Sequence, residues 1–373
     1  MLASIQVINK IEAIEGADKI ELAQVQSWKA VVQKGQYKEG DKVLFYEEGA
    51  ILVPSPSLSF MMKQYYNEQY EGIRIRTIKL RGVISQGLVM PIGSFDGLEE
   101  GTDMTELLKV RKYDGPLRKN RNGEYVPIVK KGNFPSFIVK TDEDKLQSNA
   151  WLWYWEDKPE KWNVTAKLDG MSLTAYAIYK EGEIKTGLCS RNYELEREEE
   201  KLSAWWIVWD KYRLDEVLRK TLELYFDQIL HDLDNLEGWG VCIQGEVVGP
   251  NCNGNRMGLE ENSLYVFNFK TIREGQNHYD LDGNLFCLFG QAFDELGVSP
   301  FELVPVLGRE VELTCLEDVM KYIGELNPNQ VEGVKNTSME GVVIRACDGG
   351  RGPKGQRLSF KCLNPDYQIK NDL

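Results

Sequence analysis

The chain has 373 residues, of which 42% are hydrophobic and 28% charged, and its formal net charge is −13. This composition excludes a low-complexity chain and predicts a globular protein of two domains, or of three small ones. No apolar run approaches the roughly 18 residues that span a bilayer, and the N-terminus lacks the pattern of a signal peptide, so no membrane partner is expected. Seven scattered cysteines without a C-x-x-C pair argue against zinc and favour a reducing, cytoplasmic compartment. With two histidines in the whole chain, catalysis is expected to use Lys, Arg, Asp and Glu.

Residues 1–108 show short strand patterns separated by turn residues. The stretches that alternate or run apolar are "KIELAQVQSWKAVVQKG", "DKVLFYEEGAIL", "IRIRTIKLRG" and "SQGLVMPI". This pattern predicts a small β-barrel of the OB kind. The basic stretch 109–133, with turn signals at Gly115–Pro116 and Asn122–Gly123, is predicted to be a linker or an exposed hairpin.

The acidic total hides an uneven distribution of charge. Residues 74–82, 109–132 and 345–357 are basic, whereas the acids concentrate in stretches such as "ELEREEE". Segregated charge of this kind can bind a phosphate backbone, although each basic run alone fits a solvated surface equally well. We expect the barrel to bind nucleic acid in a salt-sensitive way through Arg74, Arg76, Lys79 and the linker.

Residues 134–373 are predicted to form a second domain. Strand patterns occupy 163–168, 172–179, 183–189, 241–248, 264–270, 341–346 and 357–362, and helical spacing of apolar residues occupies 199–232, 288–296 and 316–325. Strands, a helical insertion and strands again favour an antiparallel α+β fold. The tryptophans in "WLWYWEDKPEKW" (151–162) and in the helical region are predicted to pack in cores rather than to stack on bases.

The stretch "TAKLDGMSL" (165–173) places a lysine among strand-forming apolar residues. Burial disfavours the ammonium form, so we expect a lowered pKa and a nucleophilic amine at Lys167. Asp169 is expected on the same strand and the same face, and Gly170 is expected to leave room for a substrate. K-x-D-G alone is a weak motif, and an ordinary lysine at a strand end explains it as well.

Five further stretches follow in order. They are "SRN" with Arg191, "IQGEVVGPNCNGN" with Glu246, "VFNFK" with Phe267, "EGVVIR" with Glu340 and "LSFKCLN" with Lys361. In this order and spacing they resemble the nucleotidyltransferase motifs of the covalent ligase and mRNA-capping superfamily. "FPSFIVKTDEDKLQS" (134–148), which contains Lys140, and the barrel stretches are similar to the ATP-dependent RNA ligases that carry an N-terminal OB-like domain.

The resemblance implies a three-step reaction with ATP. Lys167 takes AMP onto its amine, the AMP passes to the 5′-phosphate of an RNA end, and a 3′-hydroxyl then seals the break, as in RNA repair. The resemblance also implies a Mg²⁺ or Mn²⁺ ion and assigns roles to the motif residues. Its metal ligands are Asp169, Glu246 and Glu340, its phosphate or ribose contacts are Arg191 and Lys361, and its adenine-stacking ring is Phe267. Lys140 stays open between a nucleotide contact and an ordinary surface lysine.

The resemblance has one departure and leaves alternatives. Many relatives have a second lysine two residues after the first in the last motif, where this chain has Leu363. Either Lys361 does the work of both lysines, or Lys370 or Arg345 supplies the second charge. The alternative functions are a DNA ligase, a capping-type guanylyltransferase and a non-catalytic RNA-binding protein with an inert transferase fold. For a ligase, a nick, a tRNA break and an RNA end on a DNA template, in duplex or single strands, all fit the motifs.

Overall fold

The computed structural model describes residues 1–113, 129–197, 203–229, 235–250, 252–275, 283–325, 339–347 and 349–372. The elements of the N-terminal part, in chain order, are β1 (Ala3–Ala13), β2 (Ile20–Val25), β3 (Trp28–Gln33), β4 (Lys42–Tyr46), β5 (Ala50–Leu52), α1 (Ser59–Tyr65), β6 (Tyr66–Asn67), β7 (Gly72–Arg74), β8 (Ile78–Leu80), β9 (Val83–Ser85), β10 (Leu88–Pro91) and β11 (Arg111–Lys112). Two sheets, in the orders β10-β4-β1-β2-β3 and β11-β5-β7-β6, carry most of these strands, and β8 and β9 form a separate hairpin. Buried apolar side chains such as Ile5, Phe45 and Ile73 fill the barrel.

The elements of the C-terminal part are β12 (Lys130–Asn133), β13 (Asp144–Lys145), α2 (Trp151–Tyr154), β14 (Lys161–Lys167), β15 (Met171–Lys180), β16 (Glu183–Cys189), β17 (Tyr193–Leu195), α3 (Ala204–Lys211), α4 (Leu214–Ile229), β18 (Trp239–Val248), β19 (Ser263–Arg273), α5 (Gly283–Leu296), β20 (Glu302–Leu303), β21 (Val306–Glu312), α6 (Leu316–Glu325), β22 (Gly341–Ala346), β23 (Ser359–Leu363) and α7 (Pro365–Asn371). A seven-stranded sheet runs β12-β17-β16-β15-β18-β19-β20, and a five-stranded sheet runs β13-β23-β22-β14-β21. Most strand pairs are antiparallel, so the predicted α+β class is confirmed.

Hydrophobic clusters on each sheet explain the layered arrangement. Helices α3, α4 and α5 pack their apolar faces on the seven-stranded sheet. Helices α2 and α6 pack on the five-stranded sheet, around the fully buried Leu152 and Trp162. Trp205 and Trp209 are 4% and 7% exposed, so the prediction that the tryptophans serve the cores is confirmed. The predicted single helical region 199–232 instead contains two helices, since Arg213 between them has a φ of +45° that an α-helix does not tolerate.

The segment predicted as a linker, 109–133, has strands at both ends. β11 pairs with β5 of the barrel, and β12 pairs with β17 of the seven-stranded sheet. The middle of the segment, 114–128, lies outside the described residues. The domain limits 1–108, 109–133 and 134–373 therefore stay a prediction.

The barrel and the C-terminal sheets touch through polar side chains. Lys145 Nζ lies 2.7 Å from Glu48 Oε2, and the Ser148 hydroxyl donates to Glu47 Oε1 at 2.8 Å. On another side, the Thr77 hydroxyl donates to Gln368 Oε1 of α7 at 2.9 Å. Among the described residues, no helix is long and apolar enough to cross a membrane.

Candidate active site

Lys167 is the last residue of β14 and is paired across the sheet with Gly341 of β22. This register brings its side chain to Glu340, the residue before β22, and Lys167 Nζ lies 2.6 Å from Glu340 Oε1. The lysine side chain is 26% exposed and the glutamate side chain 13%. The nucleophile candidate thus sits in a partly open cleft, bonded to a carboxylate.

The expected lowering of the Lys167 pKa is wrong. Burial lowers the pKa, but the charges of Glu340, Glu246 and Asp169, together with the hydrogen bond to Glu340, outweigh it and raise the pKa above the usual value. The sequence argument counted the apolar neighbours of the lysine and not the carboxylates that the fold brings from distant strands. The raised pKa favours the ammonium form of Lys167.

Glu246 lies on β18, opposite Ser172 of β15. Burial raises its pKa to about 8, and the neighbouring charges of Glu340 and Asp169 act in the same direction, against the opposing effect of Lys167. The pKa of Glu340 is also raised, by burial first. A carboxyl group with a raised pKa accepts a proton more readily than an ordinary glutamate does.

The expectation that Asp169 lies on the same strand as Lys167 is wrong, because β14 ends at Lys167. Its carboxylate accepts hydrogen bonds from Arg256 Nη1 at 2.6 Å, Asn253 Nδ2 at 2.9 Å and the Tyr367 hydroxyl at 2.9 Å. The Gly/Asn-rich turn after Glu246 supplies the first two partners, and the composition of that turn could have indicated them. Tyr367, on α7, had no local signal in the sequence.

Gly170 does not leave room for a substrate. A methyl group at this position would collide with the carbonyl oxygen of Val247 and the Cγ of Glu246. The loop after Lys167 therefore packs directly on the backbone of β18, and only glycine fits there. This contact helps to fix the distance between the two strands that carry Lys167 and Glu246.

Lys361 lies on β23, paired with Val343 of β22, so it flanks the same strand as Lys167 from the other side. Burial lowers its pKa to about 7, and the charges of Lys167, Lys145, Lys112 and Arg191 add to the effect. Lys361 therefore changes between its charged and neutral forms near neutral pH.

Arg191 and Lys140 lie at one edge of the cleft. Arg191 forms an ion pair with Asp142, and Lys140 Nζ donates to Asn192 Oδ1 at 3.2 Å. Although burial raises it, the pKa of Asp142 is lowered by Arg191 and Lys112. Lys140 therefore lies in contact with the "SRN" motif, and its role stays a prediction.

Phe267 and the candidates for the missing lysine can also be located. The backbone oxygen of Phe267, on β19, accepts from Arg345 Nη1 at 3.2 Å. Arg345 also contacts Glu143 at 3.3 Å, so its charge is already paired. Leu363 ends β23, and Lys370 lies exposed on α7. Of the two residues considered as substitutes, Lys370 is the one without an ion pair among the described residues.

The predicted metal ligands are not gathered into one cluster. Within the described ranges, no group of three or more His, Cys, Asp or Glu side chains could hold a metal ion. Asp169 is bound to Arg256 and Tyr367 instead. However, Glu340 Oε2 is buried and has no hydrogen-bond partner among the described residues. A hard cation that keeps most of its water needs few protein carboxylates, so Glu340 and Glu246 fit such an ion.

Arg74 and Arg76, expected to bind nucleic acid, are turned toward the C-terminal part. Arg76 forms an ion pair with Asp372, and Arg74 Nη1 lies 4.0 Å from the same carboxylate. Arg74 is 5% exposed and stacks on the ring of Tyr113 at 3.6 Å. The expectation that both contact a phosphate backbone is therefore wrong for Arg74, and Arg76 is already paired.

A comparison with protein families matches an RNA ligase model to residues 160–363 and an OB-fold domain model to residues 2–92. The chain belongs to the RNA ligase family. The match covers the strands of Lys167, Glu246, Phe267, Glu340 and Lys361, and the OB-fold match confirms the predicted N-terminal barrel. This result favours an RNA ligase over the DNA ligase and guanylyltransferase alternatives.

Solved structures give the same answer over the whole length of the chain. It is similar to a lysine-to-alanine variant of Naegleria gruberi RNA ligase without ligand, at 27% identity and a TM-score of 0.77, with 99% of each chain covered. A second variant of Naegleria gruberi RNA ligase, with ATP and Mn, matches at 27% identity and a TM-score of 0.76 over 100% of both chains. The Naegleria gruberi RNA ligase with pyrophosphate matches at 28% identity and a TM-score of 0.73. A search of curated proteins gave no match.

Proposed function

We propose that this RNA ligase joins a 3′-hydroxyl and a 5′-phosphate RNA end, using ATP and a divalent metal ion, through an AMP adduct on Lys167. The observation that carries the proposal is the contact of 2.6 Å between Lys167 Nζ and Glu340 Oε1, with Lys361 across β22. The similarity to RNA ligase structures that contain ATP or AMP with Mn supports the choice of nucleotide and metal.

In the first step, Lys167 Nζ forms a bond to the α-phosphorus of ATP, and the bond from that phosphorus to the bridging oxygen breaks, so pyrophosphate leaves. The amine has to lose a proton before it attacks, and Glu340 is the nearest acceptor. The raised pKa of Glu340 suits it to take that proton. When bound, a metal ion supplies positive charge beside the α-phosphate. Glu340, with its unpartnered Oε2, and Glu246 would hold that ion or its waters.

The remaining steps use the same residues. AMP passes from Lys167 to the 5′-phosphate of one RNA end, and the 3′-hydroxyl of the other end displaces AMP from that phosphate. Lys361 and Arg191 line the cleft and suit the negative charge on the phosphates. Phe267 is proposed to stack on adenine, and Lys140 to contact the nucleotide beside Arg191. We propose a reducing, cytoplasmic setting, since all seven cysteines are free thiols.

The test is covalent labelling of the full chain. Incubated with ATP and Mg²⁺ or Mn²⁺, the protein should gain one AMP by intact-mass spectrometry, and peptide mapping should locate it on Lys167. Lys167→Ala should abolish the adduct. Lys161→Ala is the matched control, because this lysine lies on the same strand, is exposed and pairs with Glu310. Labelling at another residue, or from GTP alone, would overturn the proposal.

A further inference from the structure

The cations of the basic stretch 74–82 fall into two classes. Arg74 and Arg76 are turned toward Asp372, as described above. Lys79 and Arg81 are exposed, and neither makes an ion pair or a side-chain hydrogen bond with any described residue. The two free charges therefore belong to one small element, the β8–β9 hairpin, residues 78–85.

The hairpin is short and has a defined turn. Ile78 pairs with Ser85 and Leu80 with Val83. The two residues between the strands, Arg81 and Gly82, have φ values of +48° and +84°, which is typical of the tight turns that match the twist of a two-stranded ribbon. Leu80 is 38% exposed beside the turn. The tip thus presents Lys79, Leu80 and Arg81 to solvent on a short two-stranded ribbon.

The base of the hairpin is anchored to the C-terminal helix. The Thr77 hydroxyl and Gln86 Nε2 both donate to Gln368 Oε1, at 2.9 and 3.2 Å, and all three side chains are buried. The preceding residue of α7, Tyr367, donates its hydroxyl to Asp169 at 2.9 Å. Consecutive residues of one helix therefore hold the hairpin on one side and the loop after Lys167 on the other.

We propose that the hairpin 78–85 is a contact for the RNA phosphate backbone, which α7 holds in a fixed position relative to Lys167. The proposal rests on the ligase function proposed above and adds to it a surface that binds the RNA beside the transfer site. Lys79 and Arg81 bind phosphates, and the anchoring through Gln368 sets where the bound strand lies with respect to the nucleophile.

Charge is the reason to choose RNA over a protein partner. From Thr77 to Gln86 the chain contains no acidic residue, although acids outnumber basic residues 58 to 45 in the whole sequence. A phosphate backbone takes up free cations without needing a shaped apolar surface, and the binding depends on salt because counterions are released. The exposed apolar part of the tip, one partly exposed leucine, is small for a protein interface.

The test compares two double variants of the full chain with the same loss of charge. Lys79→Ala/Arg81→Ala removes the hairpin cations, and Lys34→Ala/Lys38→Ala removes two exposed lysines of the barrel from the loop after β3. Binding of a nicked RNA duplex is measured without ATP, by fluorescence anisotropy, between 50 and 200 mM NaCl. For the hairpin variant, the slope of log affinity against log salt should become shallower by about 2. The ratio of the wild-type RNA affinity to that of the variant should therefore shrink about tenfold between the lowest and the highest salt concentration. The control should keep the wild-type slope.

The same proteins are then incubated with ATP and Mg²⁺ in the absence of RNA. Both variants should form the AMP adduct at the wild-type rate, while sealing falls only in the hairpin variant. Unchanged RNA affinity and slope in the hairpin variant would overturn the proposal and leave a protein partner as the better choice. Slower adduct formation in that variant would also overturn it, because the hairpin would then act on the transfer site. If the wild-type protein forms no adduct, the proposed function is wrong. The RNA-binding measurement without ATP then still decides whether the hairpin binds RNA.

Discussion

Lys167 and Lys361 occupy similar positions and have opposite electrostatic surroundings. They flank β22 from its two sides, on β14 and β23, and both face the cleft. Burial lowers the pKa of each. Around Lys167 three carboxylates reverse the effect and raise its pKa, whereas around Lys361 four cations add to burial and the pKa falls to about 7.

Burial lowers the pKa of both lysines, and the neighbouring charges decide whether that effect is reversed, as at Lys167, or increased, as at Lys361. The difference also separates two tasks. A nucleophile must give up its proton when the substrate arrives, so it can rest as an ammonium group bonded to its acceptor. A phosphate contact must gain or keep its charge when the substrate arrives, and phosphates stabilise that charge.

The largest effect is expected from Glu340→Gln. It removes the proton acceptor of Lys167 and one carboxylate that suits the metal, so adduct formation and sealing should fall by about 10³-fold or more, within the range of lost acid–base catalysis and lost charge. The pKa of Lys167 should fall at the same time, because the main charge that raises it is gone. Lys167 should therefore react faster with an amine-selective acylating reagent at pH 8, while it transfers AMP far more slowly.

Two variants serve as comparisons for this result. Glu310→Gln removes an exposed carboxylate that pairs with Lys161 and should change neither measurement. Glu246→Gln should also reduce sealing by orders of magnitude. In both Glu246→Gln and Glu340→Gln the melting temperature should stay within a few degrees of wild type. A large drop in melting temperature would indicate that the carboxylate stabilises the fold and does not act in the reaction.

A medium effect is expected from pH on ATP binding through Lys361. A lysine with a pKa of about 7 is largely neutral at pH 8, and bound phosphates favour its charged form, so ATP binding takes up a proton above pH 7. With divalent metals chelated so that no transfer occurs, ATP affinity measured by calorimetry should weaken about fivefold between pH 7 and pH 8.

Lys361→Arg isolates this contribution. A guanidinium group stays charged throughout the range, so this variant should lose most of the pH dependence of ATP affinity and of the proton uptake. Glu246, whose pKa is about 8, titrates in both proteins and contributes equally to each. An identical pH profile in wild type and Lys361→Arg would show that the cations around Lys361 do not set its protonation.

The smallest effect is expected from Tyr367→Phe. The change removes one hydrogen bond to Asp169 and leaves those from Arg256 and Asn253. The activation free energy of adduct formation should rise by about 1 kcal/mol, the typical contribution of one hydrogen bond, so the adduct should form about three- to tenfold more slowly. Because Tyr367 acts by positioning the loop after Lys167, the rate at saturating ATP should fall while the KM for ATP stays the same.

Tyr322→Phe is the matched control, since its hydroxyl donates at 2.8 Å to a backbone oxygen, that of Leu307, and not to a carboxylate of the cleft. It should cost similar stability and leave the rate unchanged. If both variants slow adduct formation equally, the effect of Tyr367 is one of general stability and not of positioning.

Much of the fold could be predicted because its signals are local. Strand patterns and the helix at 316–325 follow from apolar periodicity, and the motifs follow from short stretches read in order. The raised pKa of Lys167 could not be predicted, since Glu340 and Glu246 reach it only through sheet register. The pairing of Arg76 with Asp372 joins residues 296 positions apart, and no pattern near either residue indicates it.

The position of helix α7 in the chain affects the order in which contacts can form during synthesis and folding. Its Gln368 and the neighbouring Asp372 hold the barrel, and its Tyr367 holds the loop of the nucleophile, yet it follows every motif residue in the chain. During synthesis the barrel emerges first and can meet Lys145 and Ser148 early, but its contacts with α7 have to wait until residues 365–372 have been made. A nascent chain that already contains every motif residue therefore has Arg256 and Asn253 to hold Asp169 but still lacks the hydrogen bond from Tyr367. The last support of the nucleophile loop is therefore acquired late, together with the contacts that join the barrel to α7.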